Sequence, residues 1–172
     1  MSRDNPKILI LGHGGHGKDL AASMLFNLHG LTHCSSSRFA LGRAVWPMVA
    51  HLYVSKDAAY EDRRNHRELW FHAIAAYNRV PGNDLARELL EESNIYTGMR
   101  SRAEFEKSRS LFDLVLWVHA EGRPTEGRGS MELNPRDADV IVSNVWGDPG
   151  VMSLQLARLD IATKENNEEI KG

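Results

Sequence analysis

A chain of 172 residues with 42% hydrophobic and 26% charged side chains is the size of one domain and can build a core. Its net charge of −2 excludes a globally basic nucleic-acid coat, though not a local basic groove. The single cysteine, Cys34, excludes an intramolecular disulfide, and no apolar run approaches the ~20 residues that cross a bilayer. The first residues run straight into a strand, which leaves no room for a signal peptide and suggests a cytoplasmic protein. Ile8 to Leu11 is a short continuous apolar run, as in a strand buried on both faces. From Lys18 a helical pattern (Leu20, Met24, Leu25, Leu28) runs to Gly30, a helix-ending glycine. "LTHCSSSRFA" can hold a second short strand whose serines lead into a helix from about Phe39, which Pro47 should kink.

Residues 65–78 carry Leu69, Trp70, Ala73, Ile74 and Tyr77 at helical spacing, and another short helix is expected over 84–92. "NIYTGM" reads as a strand and "SRAEFEKSR" as a helix, with Ser101 and Glu104 as a capping box. "LFDLVLWVHA" and "ADVIVSN" read as buried strands joined by a Gly- and Arg-rich loop, "EGRPTEGRGS". A last helix follows Pro149. Alternating strands and helices predict an α/β fold, a parallel sheet with helices on both faces. One domain is expected over 1–162, with 163–172 a frayed polar tail.

The stretch "LILGHGGHGKDLAASML" puts Gly12, Gly17 and Lys18 at the spacing G-x-x-x-x-G-K, after a strand and before a helix. Glycines let successive N–H groups turn inward toward phosphate oxygens, the helix N-terminus adds positive charge, and Lys18 reaches the β- and γ-phosphates. The loop residues Gly12, His13, Gly14, Gly15, His16, Gly17, Lys18 and Asp19 are therefore the expected nucleotide-binding set. Asp19 stands where this motif wants a hydroxyl; a carboxylate there can ligate Mg²⁺ directly or through water, or merely cap the helix. His13 and His16 can touch phosphate or substrate, or simply be solvated loop residues.

On these residues the chain resembles the phage deoxynucleoside monophosphate kinases, P-loop kinases in which aspartate follows the loop lysine. "YTGMRSRAEFEKSR", "FDLVLWVHAEGR" and "ADVIVSNVWG" are similar to the same branch in the same order, so the resemblance spans most of residues 7–147. Among such proteins, those with a compact "GHGGHGKD" loop look most like the kinases acting on 5-hydroxymethyluracil in DNA. The resemblance implies a three-layer P-loop NTPase fold with a reduced lid, ATP and Mg²⁺ as cofactors, and host-cell cytoplasm if the chain is phage-encoded. It implies Arg100 at a strand end and Arg123 and Arg128 in the lid as charge-stabilising residues, and Asn144 near the adenine. Such relatives often carry an acid two residues before the strand-end arginine; here that position is Gly98, which throws weight on Asp19 as the metal ligand.

Asp62, Arg63, Arg64 and Arg67 fall in the region that binds the acceptor in such kinases. Asp62 is the candidate base for the acceptor hydroxyl, and Arg63, Arg64 and Arg67 are candidates to grip acceptor or DNA phosphates. A helix cap with exposed charges would look the same. Trp70, Phe71 and Tyr77 can stack on a base, but their helical spacing favours core packing, as does the mid-strand place of Trp117. Two acceptors compete: a hydroxymethylated pyrimidine extruded from DNA, which a short lid and the absence of an obvious large acceptor-binding insert favour, and a free deoxynucleoside monophosphate, which the balanced charge favours. A non-catalytic nucleotide-binding module is the third possibility, and Gly98 in place of an acid fits it.

Overall fold

The computed structural model describes residues 5–127 and 129–161, so the tail at 163–172 lies outside the described residues. Four strands, β1 (Ile8–Leu11), β2 (Ile95–Thr97), β3 (Leu114–His119) and β4 (Val140–Ser143), form one all-parallel sheet in the order β2-β1-β3-β4. β1 is central, with Ile8 opposite Ile95 on one side and Leu114 on the other. The "LTHCSSSRFA" strand is reduced to a single parallel bridge, His33 to Ile95, beyond β2.

Strand alternation sends neighbouring residues to opposite faces, and each face has its own core. Ile8 and Ile10 pack with α1 (Lys18–His29) and α8 (Pro149–Ala157) through Ala21, Leu25, Met152 and Leu156. Leu9 and Leu11 face the other way, with Trp117, and pack with α6 (Leu85–Glu92) and α7 (Arg102–Ser108) through Leu89 and Phe105. The result is a three-layer α/β fold, a sheet between two layers of helices, consistent with a P-loop NTPase-like arrangement. The expected burial of "ADVIVSN" holds only in part: β4 is an edge strand, and Ile141 on it is half exposed.

Between α1 and β2 lies a helical insert with a third core of its own, which corrects the expectation that no large insert is present; most of its helices are too short to stand out in the apolar pattern. α2 (Ser36–Ala40) is capped by the Ser35 hydroxyl, which accepts from Arg38 N–H. Pro47 has no N–H for the helical ladder, and the chain widens into a π-turn over Leu41–Val45 before α3 (Trp46–Val49). The expected kink is thus a π-turn. α4 (Lys56–Asp62) and α5 (Arg67–Arg79) complete the insert, where Trp70, Ile74 and Tyr77 pack beside Ala73. Among the described residues no helix is long and apolar enough to cross a membrane.

Candidate functional site

The turn between β1 and α1 has the backbone its glycines predict. Gly12, Gly15 and Gly17 all have positive φ, at 143°, 77° and 99°. A Cβ on Gly12 would lie 2.6 Å from the Val118 carbonyl oxygen, so the loop leaves the sheet against the backbone of β3. A side chain on Gly17 would collide with the Asn144 amide. Lys18 bends back over the loop it follows and donates to the carbonyls of Gly12 (2.9 Å) and His13 (2.8 Å). Burial, then the nearby Arg100, pulls its ammonium pKa down to about 8. That cation is held in a place that lacks a full counter-charge.

Both loop histidines serve the loop's architecture, which corrects the solvated-loop expectation. His16 is fully buried; its Nδ1 accepts from Ala120 N–H (3.1 Å) and its Nε2–H donates to the Pro124 carbonyl (3.2 Å). His13 Nδ1 accepts from Glu126 N–H (3.1 Å). Burial lowers the pKa of each, with neighbouring cationic groups adding to the effect, so both are neutral near pH 7. They pin residues 120–126 of the lid loop onto the phosphate loop. Arg123 adds a contact to the Gly15 carbonyl and lies 5.0 Å above the Trp146 ring centre. Arg128, the other lid arginine, lies outside the described residues.

Glu126 reaches furthest into this assembly. Its Oε2 accepts from Gly14 N–H at 2.8 Å and pairs with Arg100 Nη1 at 2.8 Å, while Oε1 pairs with Arg67. Arg100 also donates to the Ser130 carbonyl (3.0 Å), and burial lowers its pKa to about 10, with Arg67 contributing.

A cavity of about 260 Å³ opens beside Lys18, between the phosphate loop, α2, α5 and the end of β2. Among the described residues Lys18, Arg63, Arg64, Arg67 and Arg100 line it against two carboxyl groups, Asp19 and Glu104, with Glu126 pairing Arg67 and Arg100 from the loop side. It is a cationic pocket sized near the lower end of small-ligand sites, roughly 300–1,000 Å³. Trp70 and Phe71 form part of its wall, so these two face the cavity. Tyr77 belongs to the insert's core and donates to Glu88 (2.8 Å).

Glu104 does not complete the expected capping box. Ser101 accepts from Glu104 N–H (3.4 Å), but the Glu104 carboxyl is buried and accepts from the Tyr96 hydroxyl (3.1 Å). Desolvation raises its pKa to about 7.

The structure separates the residues expected at the acceptor. Arg63, Arg64 and Arg67 reach the cavity, with Arg63 stacked 3.8 Å over the Tyr60 ring. Asp62 does not line the cavity, a correction to its expected role as base. It ends α4 instead of preceding α5, and its carboxylate is taken by Tyr53 (2.7 Å), Asn65 (2.7 Å) and His66 (3.0 Å). The Tyr53 hydroxyl and the Asn65 amide hold its pKa below the usual carboxylate value, which makes it a poorer base. Asn144 has its side chain engaged: it donates to the His16 carbonyl (2.9 Å) and so braces the glycine loop.

Asp19 lines the cavity directly after Lys18, exposed and without a capping hydrogen bond. One carboxylate at the mouth of a phosphate loop fits Mg²⁺, which takes one or two carboxylates and fills its octahedron with phosphate oxygens and water. Among the described residues no cluster of three or more His, Cys, Asp or Glu side chains forms a protein-only metal site. Gly98 has φ 80°, and a Cβ there would touch Lys18 Cε at 3.4 Å. An acid at that position would need strained backbone beside the loop lysine.

No family model matches the chain, and no curated protein matches it. Among solved structures it is similar to TT1252 from Thermus thermophilus, 20% identical, over 98% of this chain and 100% of that one, with a TM-score of 0.48. A likeness so distant says nothing about function.

Proposed function

We propose that this chain is an ATP-dependent kinase that transfers the γ-phosphate to a nucleotide acceptor, the hydroxymethyl group of 5-hydroxymethyluracil in DNA first among them. One observation carries the reading: a glycine-lysine phosphate loop and a cationic cavity of about 260 Å³ meet at Lys18. A phosphoryl group passing from one to the other would travel through a field of Lys18, Arg67 and Arg100. Such transfer relies on positioning and charge stabilisation far more than on covalent chemistry, so it does without Asp62. An extruded pyrimidine would enter the cavity while Arg64 and Arg63 meet backbone phosphates. Arg123 over Trp146 offers a cationic and an aromatic surface for the adenine of ATP.

Mg²⁺, when bound, supplies charge neutralisation between donor phosphates; Asp19 is the residue of this chain that would hold it. Asp19→Ala is expected to raise the Mg²⁺ concentration needed for half-maximal activity on the order of 10-fold or more, by analogy with other metal-supporting contacts. Unchanged activity at low Mg²⁺ would remove Asp19 from the site.

The confinement of the cavity favours a second reading, a deoxynucleoside monophosphate kinase in which Arg63, Arg64 and Arg67 grip one 5′-phosphate. Gly98 in place of an acid favours a third, a nucleotide-binding module without turnover. Labelled γ-phosphate of ATP, offered with 5-hydroxymethyluracil DNA and with free deoxynucleoside monophosphates, separates them. The first reading expects label in the modified DNA and none in thymine DNA. Label in monophosphates alone selects the second, and ATP binding without transfer to either selects the third. In all three a cytoplasmic setting, that of the host cell for a phage protein, belongs to the proposal.

A further inference from the structure

Three contacts converge on one lid carboxylate, and a fourth holds its backbone. Glu126 takes the Gly14 N–H of the phosphate loop at 2.8 Å, pairs with Arg100 at 2.8 Å and with Arg67, and its own N–H is held by His13 at 3.1 Å. A loop N–H and two guanidinium groups around one anion are the donor set that a phosphoryl oxygen pair would require. The three donors belong to elements far apart in the chain, so local structure does not demand their meeting. The Glu126 side chain is only 13% exposed, and it brings a carboxylate to a place dominated by cations. Without it, Arg67 and Arg100 would face each other and Lys18 at close range.

We propose that Glu126 is a resident substitute for the transferable phosphoryl group: in the free protein its carboxylate fills the subsite of the terminal phosphate and latches the lid onto the loop. This rests on the phosphate-loop reading and adds to it a competition inside the chain. A nucleoside triphosphate must evict Glu126 before its γ-phosphate can reach Gly14, Arg67 and Arg100. A diphosphate, which ends one phosphate earlier, leaves the carboxylate in place. Glu126 thereby sets how strongly the site distinguishes triphosphate from diphosphate, and the apparent triphosphate affinity is lowered by the fraction of molecules latched. Gly14 and the two arginines pass from Glu126 to the γ-phosphate in the same event, and because both arginines line the cavity, donor binding and the charge presented to the acceptor are coupled.

Calorimetric titration of the full chain with β,γ-imido-ATP and with ADP, both with Mg²⁺, tests this in wild type, Glu126→Gln and Glu126→Ala. Both variants are expected to bind the triphosphate analogue about 10-fold more tightly, within the usual range of coupling effects, while ADP affinity changes less than about 2-fold. Arg123→Ala, which removes the cation offered to the adenine and leaves the Glu126 contacts in place, is expected to shift both nucleotides alike, since both carry the adenine. Equal shifts for both nucleotides in the Glu126 variants, or none, would overturn the substitution while leaving the loop's role intact. Failure of wild type and variants to bind either nucleotide would overturn the phosphate-loop reading, and this proposal with it. Because two substitutions are used, a folding failure of one leaves the other to decide.

Discussion

The two sides of Lys18 are built on opposite terms. On the loop side, the polar groups are engaged within the chain: both histidines, Gly14 N–H, Asn144, Arg123 and Glu126 hold one another. On the cavity side, Arg64 makes no hydrogen bond or ion pair among the described residues, and Arg63 rests on Tyr60 alone. The loop side is complete in the resting protein, with Arg67 and Arg100 drawn to Glu126, whereas the outer cavity wall at Arg63 and Arg64 keeps its charge unpaired by any carboxylate among the described residues. A buried polar network is worth forming only when it is satisfied. An acceptor site needs the reverse, donors still free to meet a ligand.

The widest break in that contrast comes from the loop. Gly12→Ala places a Cβ 2.6 Å from the Val118 carbonyl at a positive φ. It is expected to abolish nucleotide binding and to destabilise the fold by about 2 kcal/mol, within the range for strained backbone. Denaturant unfolding beside a nucleotide titration checks both, and normal binding would show that the loop can relax.

A smaller effect belongs to the other side. Arg64→Ala should raise the KM for the acceptor by about 10-fold, the size of one charge-assisted phosphate contact, with the affinity for ATP unchanged. Steady-state kinetics with each substrate varied in turn would reveal it. A matching loss of ATP affinity would mean that the two sides are not separate.

The effect furthest from ligand binding concerns the Glu104 carboxyl on the cavity wall, and it is read in stability alone. Its folded pKa of about 7 exceeds the ordinary 4.5, because burial penalises the carboxylate. The stability it allows is full below about pH 4.5 and is lost as pH rises toward 7. Glu104→Gln should therefore stabilise the protein by on the order of 2 kcal/mol at pH 8 and hardly at all at pH 4.5. His13 and His16 act with the opposite sign. Their lowered pKa values give stability that is present above pH 6.5 and lost as pH falls below it, equally in both proteins. The difference between variant and wild type isolates Glu104, and a gain of equal size at both pH values would deny it a titrating role.

What could be read from the sequence follows the same division. The phosphate loop was legible because its signal is local: glycines, lysine and flanking apolar runs lie within seventeen residues, and the four strands follow from their apolar runs. Glu126 was hidden because its partner Gly14 is 112 positions away, and an acid among lid arginines resembles ordinary loop composition. Trp146 was missed for a related reason; 83% exposed, it has no periodic neighbours to announce it. Asp62, the acidic residue that reads as a helix start, ends α4, and the turn after it hands the cavity to Arg63, Arg64 and Arg67. Glu104 followed its capping signature only halfway, because the Tyr96 hydroxyl claims its carboxyl.

The central claim is that Lys18 stands between a phosphate donor and an acceptor. Its most direct test is the rate of γ-phosphate transfer by wild type and Lys18→Ala, with thermal unfolding measured on the same samples. A loss of about 10³-fold or more is expected, in the range seen when a charge-stabilising group is removed from phosphoryl transfer, with the melting temperature unchanged. Transfer at the wild-type rate by a folded Lys18→Ala protein would contradict it.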